Sequence, residues 1–260
     1  MFTRKTPKLQ AADKTPYTSY NPHTISLEQR NWPEVIKVIS IDPGIRNLAI
    51  RVESRGSRSN SYPIQTLVFD KLHIRDDERK TDDMTDRLYL LVTNFLDQYL
   101  EIFKTCHIMI IERQLSVNYK CVRISQHIIS YFMIHLKNLP PLAMIFEVDP
   151  KLKGKELGAS THLNERGLKQ WSVDYCRELL IKRKDDLGLK LFNKQKKKDD
   201  VGDVTIQIES LFSYLGWPLT QEVKTLTVIS QPKPSNLSPI NLPVNQSNNK
   251  KLTLNVTKKN

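Results

Sequence analysis

The sequence predicts an α/β fold with a mixed, five-stranded sheet and helices on both of its faces. The chain has 260 residues, of which 39% are hydrophobic, so it is long enough to bury a core. Three strand-like runs follow one another between residues 35 and 69, and helical and strand-like patterns then alternate as far as residue 218. A meander followed by such alternation requires antiparallel and parallel strands in one sheet.

The first three strands are predicted from short runs that are rich in β-branched residues. The run at residues 35–41 ends at a turn signal, Asp42-Pro43-Gly44, and residues 48–52 follow as its hairpin partner. Residues 65–69 form the third run. Together these runs predict the meander.

Residues after 82 alternate between helical stripes and short apolar runs. Apolar residues at helical spacing predict four helices, at 88–103, at about 118–137, at 168–180 and at 204–215. The fourth strand is predicted at 108–111 and the fifth at 143–148. All of these elements belong to one predicted domain, residues 34–218.

Both flanking segments are predicted to be disordered. Residues 1–33 are polar and carry four prolines, and residues 219–260 form a tail rich in Asn, Ser, Pro and Lys. No run approaches the ~18 consecutive apolar residues of a membrane helix, and the first residues lack the apolar block of a secretory signal. With three scattered cysteines, the protein is expected to be intracellular, reduced and free of a membrane partner.

The charge of the chain points to a polyanionic partner. Forty Lys and Arg residues against 28 Asp and Glu residues leave a net charge of +12. Nucleic acid is the commonest intracellular polyanion. Acidic proteins and anionic membrane surfaces also fit this charge, so composition alone leaves the partner open.

Four carboxylates lie at the ends of predicted buried elements. Asp42 ends the first strand, Glu112 ends the fourth, and Asp200 and Asp203 lie three residues apart at the start of the last helix. Singly, each acid also fits a turn, a surface ion pair or a helix N-terminus. Jointly they favour a cluster whose mutual repulsion a hard cation such as Mg²⁺ would relieve. Two such ions stabilise the attacking and leaving oxygens when a phosphodiester is cut.

Three segments resemble the motifs of RuvC-type Holliday junction resolvases. Ser40–Ile50 is similar to the first motif, and its Asn47-Leu48-Ala49 part is most similar to the mitochondrial and poxvirus-type branch. Ile110–Gln114 resembles the second motif, and Lys197–Asp203 resembles the third. The three occur in family order and span almost the whole predicted domain.

This resemblance implies an RNase H-like fold and an endonuclease that uses two Mg²⁺ ions, for which Mn²⁺ substitutes. It implies a homodimer that resolves branched DNA, a four-way junction, by paired symmetric nicks during recombination or replication. Carried over by position, Asp42, Glu112, Asp200 and Asp203 are the catalytic metal ligands. Asp199 stays open as an alternative to Asp200. A viral replication site, a nucleus and a mitochondrion all remain open as the location.

Lysines on both sides of the last two acids are candidate DNA contacts. Lys151 and Lys153 follow the fifth strand, and Lys196, Lys197 and Lys198 directly precede the acidic residues of the last helix. A solvated loop is the alternative explanation for these lysines. By analogy with other resolvases, Lys153 is also a candidate for assisting at the scissile phosphate.

Two other functions compete with junction resolution. One is a different RNase H-like nuclease, of transposase type or specific for RNA–DNA hybrids. The other is a protein that keeps the fold and binds junctions without catalysis. Intact acids at all of the motif positions argue against the second alternative.

Overall fold

A six-stranded mixed sheet is the centre of the fold. The computed structural model describes residues 16–20, 30–57, 62–73, 86–136 and 138–217. The strands in these ranges are β1 (Tyr17–Ser19), β2 (Val35–Asp42), β3 (Asn47–Gly56), β4 (Gln65–His73), β5 (Ile108–Glu112) and β6 (Met144–Val148). The helices are α1 (Asp86–Asp97), α2 (Leu100–Phe103), α3 (Tyr119–Leu136), α4 (Leu152–Leu157), α5 (Glu165–Lys182), α6 (Asp186–Lys194) and α7 (Asp199–Tyr214).

The strand order combines an antiparallel meander with parallel strands. The order across the sheet is β1-β6-β5-β2-β3-β4. β2, β3 and β4 pair antiparallel, whereas β5 is parallel to both β2 and β6. The predicted α/β class and its mixed sheet are therefore confirmed.

β1 is a sixth strand that the sequence does not predict. It pairs antiparallel with the edge of β6, and the ring of Tyr17 packs edge-on against Phe146 at 5.3 Å and Tyr214 at 6.1 Å. The prediction of a disordered segment at 1–33 is wrong for this strand, because a single aromatic anchor in three residues leaves no periodic signal. Residues 1–15 and 21–29 of that segment, and the predicted tail at 219–260, lie outside the described residues.

Helices cover both sides of the sheet. Alternate strand residues face opposite sides, so Ile39 and Ile41 of β2 pack with apolar residues of α1 and α3. Ile36 and Val38 of the same strand pack on the other side with α4 and α7. There Ala49 of β3 packs with α5, α6 and α7. This arrangement confirms the prediction of helices on both faces.

The helices differ from the prediction in detail. The predicted helix at 88–103 is divided into α1 and α2. The sequence does not predict α4 and α6, since helices of six and nine residues have too few turns for an apolar stripe to stand out. None of the described helices combines the length and apolar character that a membrane crossing requires.

Candidate active site

The ends of two parallel strands bring the first two candidate acids to one edge of the sheet. Ile41 of β2 pairs with Ile111 of β5, and Asp42 and Glu112 are the next residues of these strands. The residues before Glu112 in β5 are all buried, whereas Glu112 itself is partly exposed. The carboxyl ends of parallel strands are where α/β sheets place their ligands. Asp42 and Glu112 are therefore neighbours at such an edge.

α7 adds the remaining candidate acids. Its first turn carries Asp199 and Asp200, and Asp203 follows one turn later. Val201 and Val204 are fully buried against the sheet, and these contacts fix which side of α7 the acids occupy. Acidic residues at a helix N-terminus also interact favourably with the helix dipole.

Lys153 of α4 joins the acids of the strands and of α7. Its Nζ lies 2.6 Å from Glu112 Oε2 and 3.3 Å from Asp203 Oδ1. Burial alone would lower the pKa of Lys153, but the charges of Glu112, Asp203 and Asp42 outweigh it and raise this pKa above its usual value. The ammonium is therefore charged at neutral pH. We call Asp42, Glu112, Asp203 and Lys153 the acidic cluster.

Asp42 is the least compensated carboxylate of the acidic cluster. Burial raises its pKa well above the usual value, and the charges of Glu112, Asp203 and Asp200 raise it further against the opposing effect of Lys153. No other described residue forms a hydrogen bond or ion pair with its side chain. An additional cation would stabilise the ionised form of Asp42.

Asp200 lies beside the acidic cluster and pairs with two other lysines. Lys197 Nζ is 2.7 Å from Asp200 Oδ1 and 3.2 Å from Asp199 Oδ2, and Lys71 Nζ is 3.6 Å from Asp200 Oδ2. Asp200 Oδ2 is buried and has no hydrogen-bond donor within the described part of the chain. Asp200 is still close enough for its charge to act on Asp42.

The side chains at this site are of a chemical type that suits a divalent cation. Among the described residues, no group of three or more His, Cys, Asp or Glu side chains is arranged to hold a metal ion. The ammonium of Lys153 instead supplies positive charge between Glu112 and Asp203. The carboxylate oxygens are nevertheless the ligands that Mg²⁺ prefers. The buried Asp200 Oδ2 accepts no hydrogen bond from a described residue, although Lys71 Nζ lies 3.6 Å from it. The assignment of metal ligands remains a prediction.

The other candidate DNA contacts lie close in sequence to residues of the site. Lys151 is exposed at the start of α4, and Lys196, Lys197 and Lys198 form the connection between α6 and α7. Lys197 forms ion pairs with Asp199 and Asp200, so its ammonium already contacts candidate acids of the site. Lys153 lies in the acidic cluster rather than on an open surface. The role of these lysines in DNA binding stays a prediction.

Sequence reasoning missed two residues that contact the candidate acids. Lys71 extends from β4 beyond the predicted strand end at 69, and it also donates a hydrogen bond to the Lys197 carbonyl oxygen over 3.2 Å. Ser172 of α5 donates a hydrogen bond to Asp203 over 2.7 Å. Neither has a local signature, because both contacts depend on elements that are distant along the chain.

No known family model matches the sequence. Over 115 residues the chain is 28% identical to uncharacterized protein 97L of Invertebrate iridescent virus 3; the match covers 44% of this chain and 52% of that protein, about half of its length.

Solved structures similar to the chain include a RuvC protein and two resolvases. RuvC of Thermus thermophilus has a TM-score of 0.46 and 15% identity, over 70% of this chain and 98% of that one. Fowlpox virus resolvase, solved with its substrate Holliday junction DNA, has a TM-score of 0.47 and 18% identity. The match covers 69% of this chain and 99% of that one. The yeast mitochondrial Holliday junction resolvase Ydc2 has a TM-score of 0.48 and 17% identity. The match covers 73% of this chain and 84% of that one.

Proposed function

We propose that this chain is an intracellular, Mg²⁺-dependent, structure-selective endonuclease of RuvC type that resolves four-way DNA junctions by paired symmetric nicks. The observation that carries the proposal is the acidic cluster. It lies where β2, β5 and the first turns of α7 meet, and these three elements carry the three resolvase-like motifs. Three carboxylates with one ammonium retain negative charge, which is suited to a divalent cation beside a phosphodiester.

The proposed chemistry needs no covalent intermediate on the protein. Two Mg²⁺ ions, or Mn²⁺ in their place, held by Asp42, Glu112, Asp203 and Asp200 would supply an activated water and neutralise the leaving oxygen. Asp42 provides the carboxylate with the greatest need of a cation. Lys153 is held protonated by its carboxylate neighbours and offers a positive charge to the phosphate.

The basic connection before α7 is proposed to bind the DNA backbone. Lys196 is exposed and, unlike Lys197, forms no ion pair with a described residue. We predict that Lys196→Ala weakens junction binding and reduces the slope of log affinity against log salt by about one, because one phosphate contact is lost. Fluorescence anisotropy at several salt concentrations measures both quantities.

Lys104→Ala is the control for this prediction. Lys104 follows α2 and precedes β5, whereas Glu112 lies at the far end of that strand. Its substitution should leave the salt slope unchanged. If the salt slope of Lys196→Ala equals that of the unsubstituted chain, this lysine does not contact the DNA.

A homodimer is proposed to form through the outward face of α3. This face exposes apolar side chains, with Tyr119 at 51% and Ile134 at 72% exposure, and Met133 beside them. We predict that Ile134→Asp converts a dimer into a monomer, because a charge is poorly tolerated at the centre of an apolar interface. Sedimentation velocity measures the mass in solution.

Leu187→Asp provides the matched substitution for the dimer test. Leu187 is also exposed, but it lies on α6. It should leave the dimer intact. A dimer that persists in Ile134→Asp would show that another surface joins the subunits.

The substrate is tested by cleavage of three labelled nucleic acids in Mg²⁺: a four-way DNA junction, a linear DNA duplex and an RNA–DNA hybrid. Paired nicks at symmetric positions of the junction are expected. Preferred cutting of the duplex or the hybrid would instead identify another RNase H-like nuclease. Tight junction binding without any cleavage would identify a binding protein.

A further inference from the structure

α5 reaches the acidic cluster through one buried serine. Ser172 is 2% exposed, and its Oγ donates a hydrogen bond to Asp203 Oδ1 over 2.7 Å. The same carboxylate oxygen lies 3.3 Å from Lys153 Nζ. No described residue donates a hydrogen bond to Asp203 Oδ2. One oxygen is thus anchored by the protein, and the other remains available to a further ligand.

Close packing of α5 against α7 makes this hydrogen bond possible. A Cβ atom on Gly202, the residue before Asp203, would lie 3.1 Å from Ser172 Oγ and 3.2 Å from the Ser172 carbonyl oxygen. Both distances are tighter than ordinary contacts, so a larger residue would push the helices apart. Glycine is unfavourable inside a helix. Here its lack of a side chain permits the approach that brings the Ser172 hydroxyl to Asp203.

We propose that Ser172 is a positioning residue for the divalent cation. Its hydroxyl holds Asp203 Oδ1 and thereby fixes the rotamer in which Oδ2 is presented to the ion. The inference rests on the proposed function, since it assumes that Asp203 is a cation ligand. Hydrogen-bonded partners of ligating carboxylates commonly act in this way.

A purely structural hydrogen bond is the competing explanation, because a buried hydroxyl needs a partner. The two explanations differ in what the hydroxyl controls. A structural bond contributes to folding stability alone. A positioning bond also raises cation affinity, because without it the carboxylate adopts rotamers that do not bind the ion.

Mn²⁺ binding to the full chain separates these explanations. The concentration of free Mn²⁺ is measured from its electron paramagnetic resonance signal. Three proteins are compared without DNA: the unsubstituted chain, Ser172→Ala and Ser210→Ala. Ser210 is the control, since it is fully buried in α7 and donates to the Gln207 carbonyl oxygen over 2.9 Å. Ser172→Ala is expected to weaken Mn²⁺ binding roughly tenfold, and Ser210→Ala to leave it unchanged.

The outcomes are distinct. Equal Mn²⁺ affinities of the two serine variants and the unsubstituted chain would overturn the positioning role while leaving the proposed function intact. A failure of the unsubstituted chain to bind Mn²⁺ would overturn the proposed cation site and the positioning role with it.

Gly202→Ala gives a second measurement that keeps the hydroxyl. Its new Cβ should displace Ser172 and weaken Mn²⁺ binding through the same hydrogen bond. The effect of Gly202→Ala should then be clearly smaller in the Ser172→Ala background than in the unsubstituted chain. Equal effects in both backgrounds would show that Gly202 acts independently of Ser172, contrary to the inference.

Discussion

Replacing Asp42 by Asn is expected to reduce junction cleavage at least about a thousandfold, a loss of about 4 kcal/mol of transition-state stabilisation. Asn keeps the size of the side chain but removes the charge with which Asp42 attracts a divalent cation. Junction affinity measured without divalent ions should not fall, because the substitution removes negative charge beside a polyanion. Single-turnover cleavage and fluorescence anisotropy measure the two effects separately.

The same substitution should stabilise the metal-free protein at neutral pH. Burial and the neighbouring carboxylates raise the pKa of Asp42 in the folded protein above its unfolded value of about 4. The folded state then binds protons more tightly, so stability falls as pH rises from the unfolded pKa through the folded one. At pH values above that window, the full cost of burying the ionised Asp42 carboxylate applies. Asn carries no charge and removes this cost. Below the window the two proteins should have the same Tm.

Added Mg²⁺ should reverse this order of stability. An ion that binds the folded state alone raises its stability, and it should do so more for the unsubstituted chain than for Asp42→Asn. Asp174→Asn is the control, since Asp174 is a half-exposed residue of α5 that pairs with Gln170 and Arg177. Normal cleavage by Asp42→Asn would refute the proposed role of Asp42. A lower Tm in the metal-free variant would refute the repulsion argument.

The sequence predicts the strand ends of the candidate site well, and for a physical reason. Asp42 and Glu112 each end a short, largely apolar run that is rich in β-branched residues, and such a run favours a buried strand. Asp200 and Asp203 open an amphipathic helix in a segment with a family-like motif. These signals are local, so they survive without any knowledge of the fold. They place the acids at element ends and thus near one edge of the sheet.

The contacts among these residues have no local signal. Lys71, Lys153 and Ser172 reach the acids from β4, α4 and α5, elements whose positions depend on how the helices pack across the sheet. The sequence predicts Lys153 as a DNA contact because it follows a strand, whereas the structure places its ammonium between two carboxylates. These partners lie more than thirty residues apart along the chain, so packing determines their contacts.

β3 shows the same limit away from the site. Arg51, Glu53 and Arg55 alternate along the strand, a pattern that normally marks a solvent-exposed face. In the structure all three are buried, and residues of opposite charge pair with them: Asp185 with Arg51, Arg183 with Glu53 and Glu209 with Arg55. The pattern alone does not reveal this, because the compensating charges lie about 130 to 155 residues further along the chain.

Glu53 lies at the centre of this buried network. Its carboxylate is 2.9 Å from Arg51 Nε, 3.1 Å from Arg55 Nη1 and 3.4 Å from Arg183 Nη1. We predict that Glu53→Gln destabilises the fold by about 3–5 kcal/mol, because it leaves a buried positive charge without its counterion. Urea unfolding followed by circular dichroism measures the change in the free energy of unfolding. Glu165→Gln is the control: this exposed residue pairs with Lys169 of the same helix, and the loss of that ion pair should not change the stability measurably.

A double substitution shows whether charge balance is the cause. If the uncompensated charge dominates, Glu53→Gln combined with Arg55→Met should be less destabilising than the sum of the two single substitutions, because the pair is removed together. Additive losses would instead attribute the effect to packing around each side chain. Arg55 also stacks on the Phe212 ring at 3.9 Å, a contact that Met partly preserves. Since Phe212 belongs to α7, the network fixes the helix that carries Asp200 and Asp203, and we expect its weakening to lower cleavage before the fold is lost.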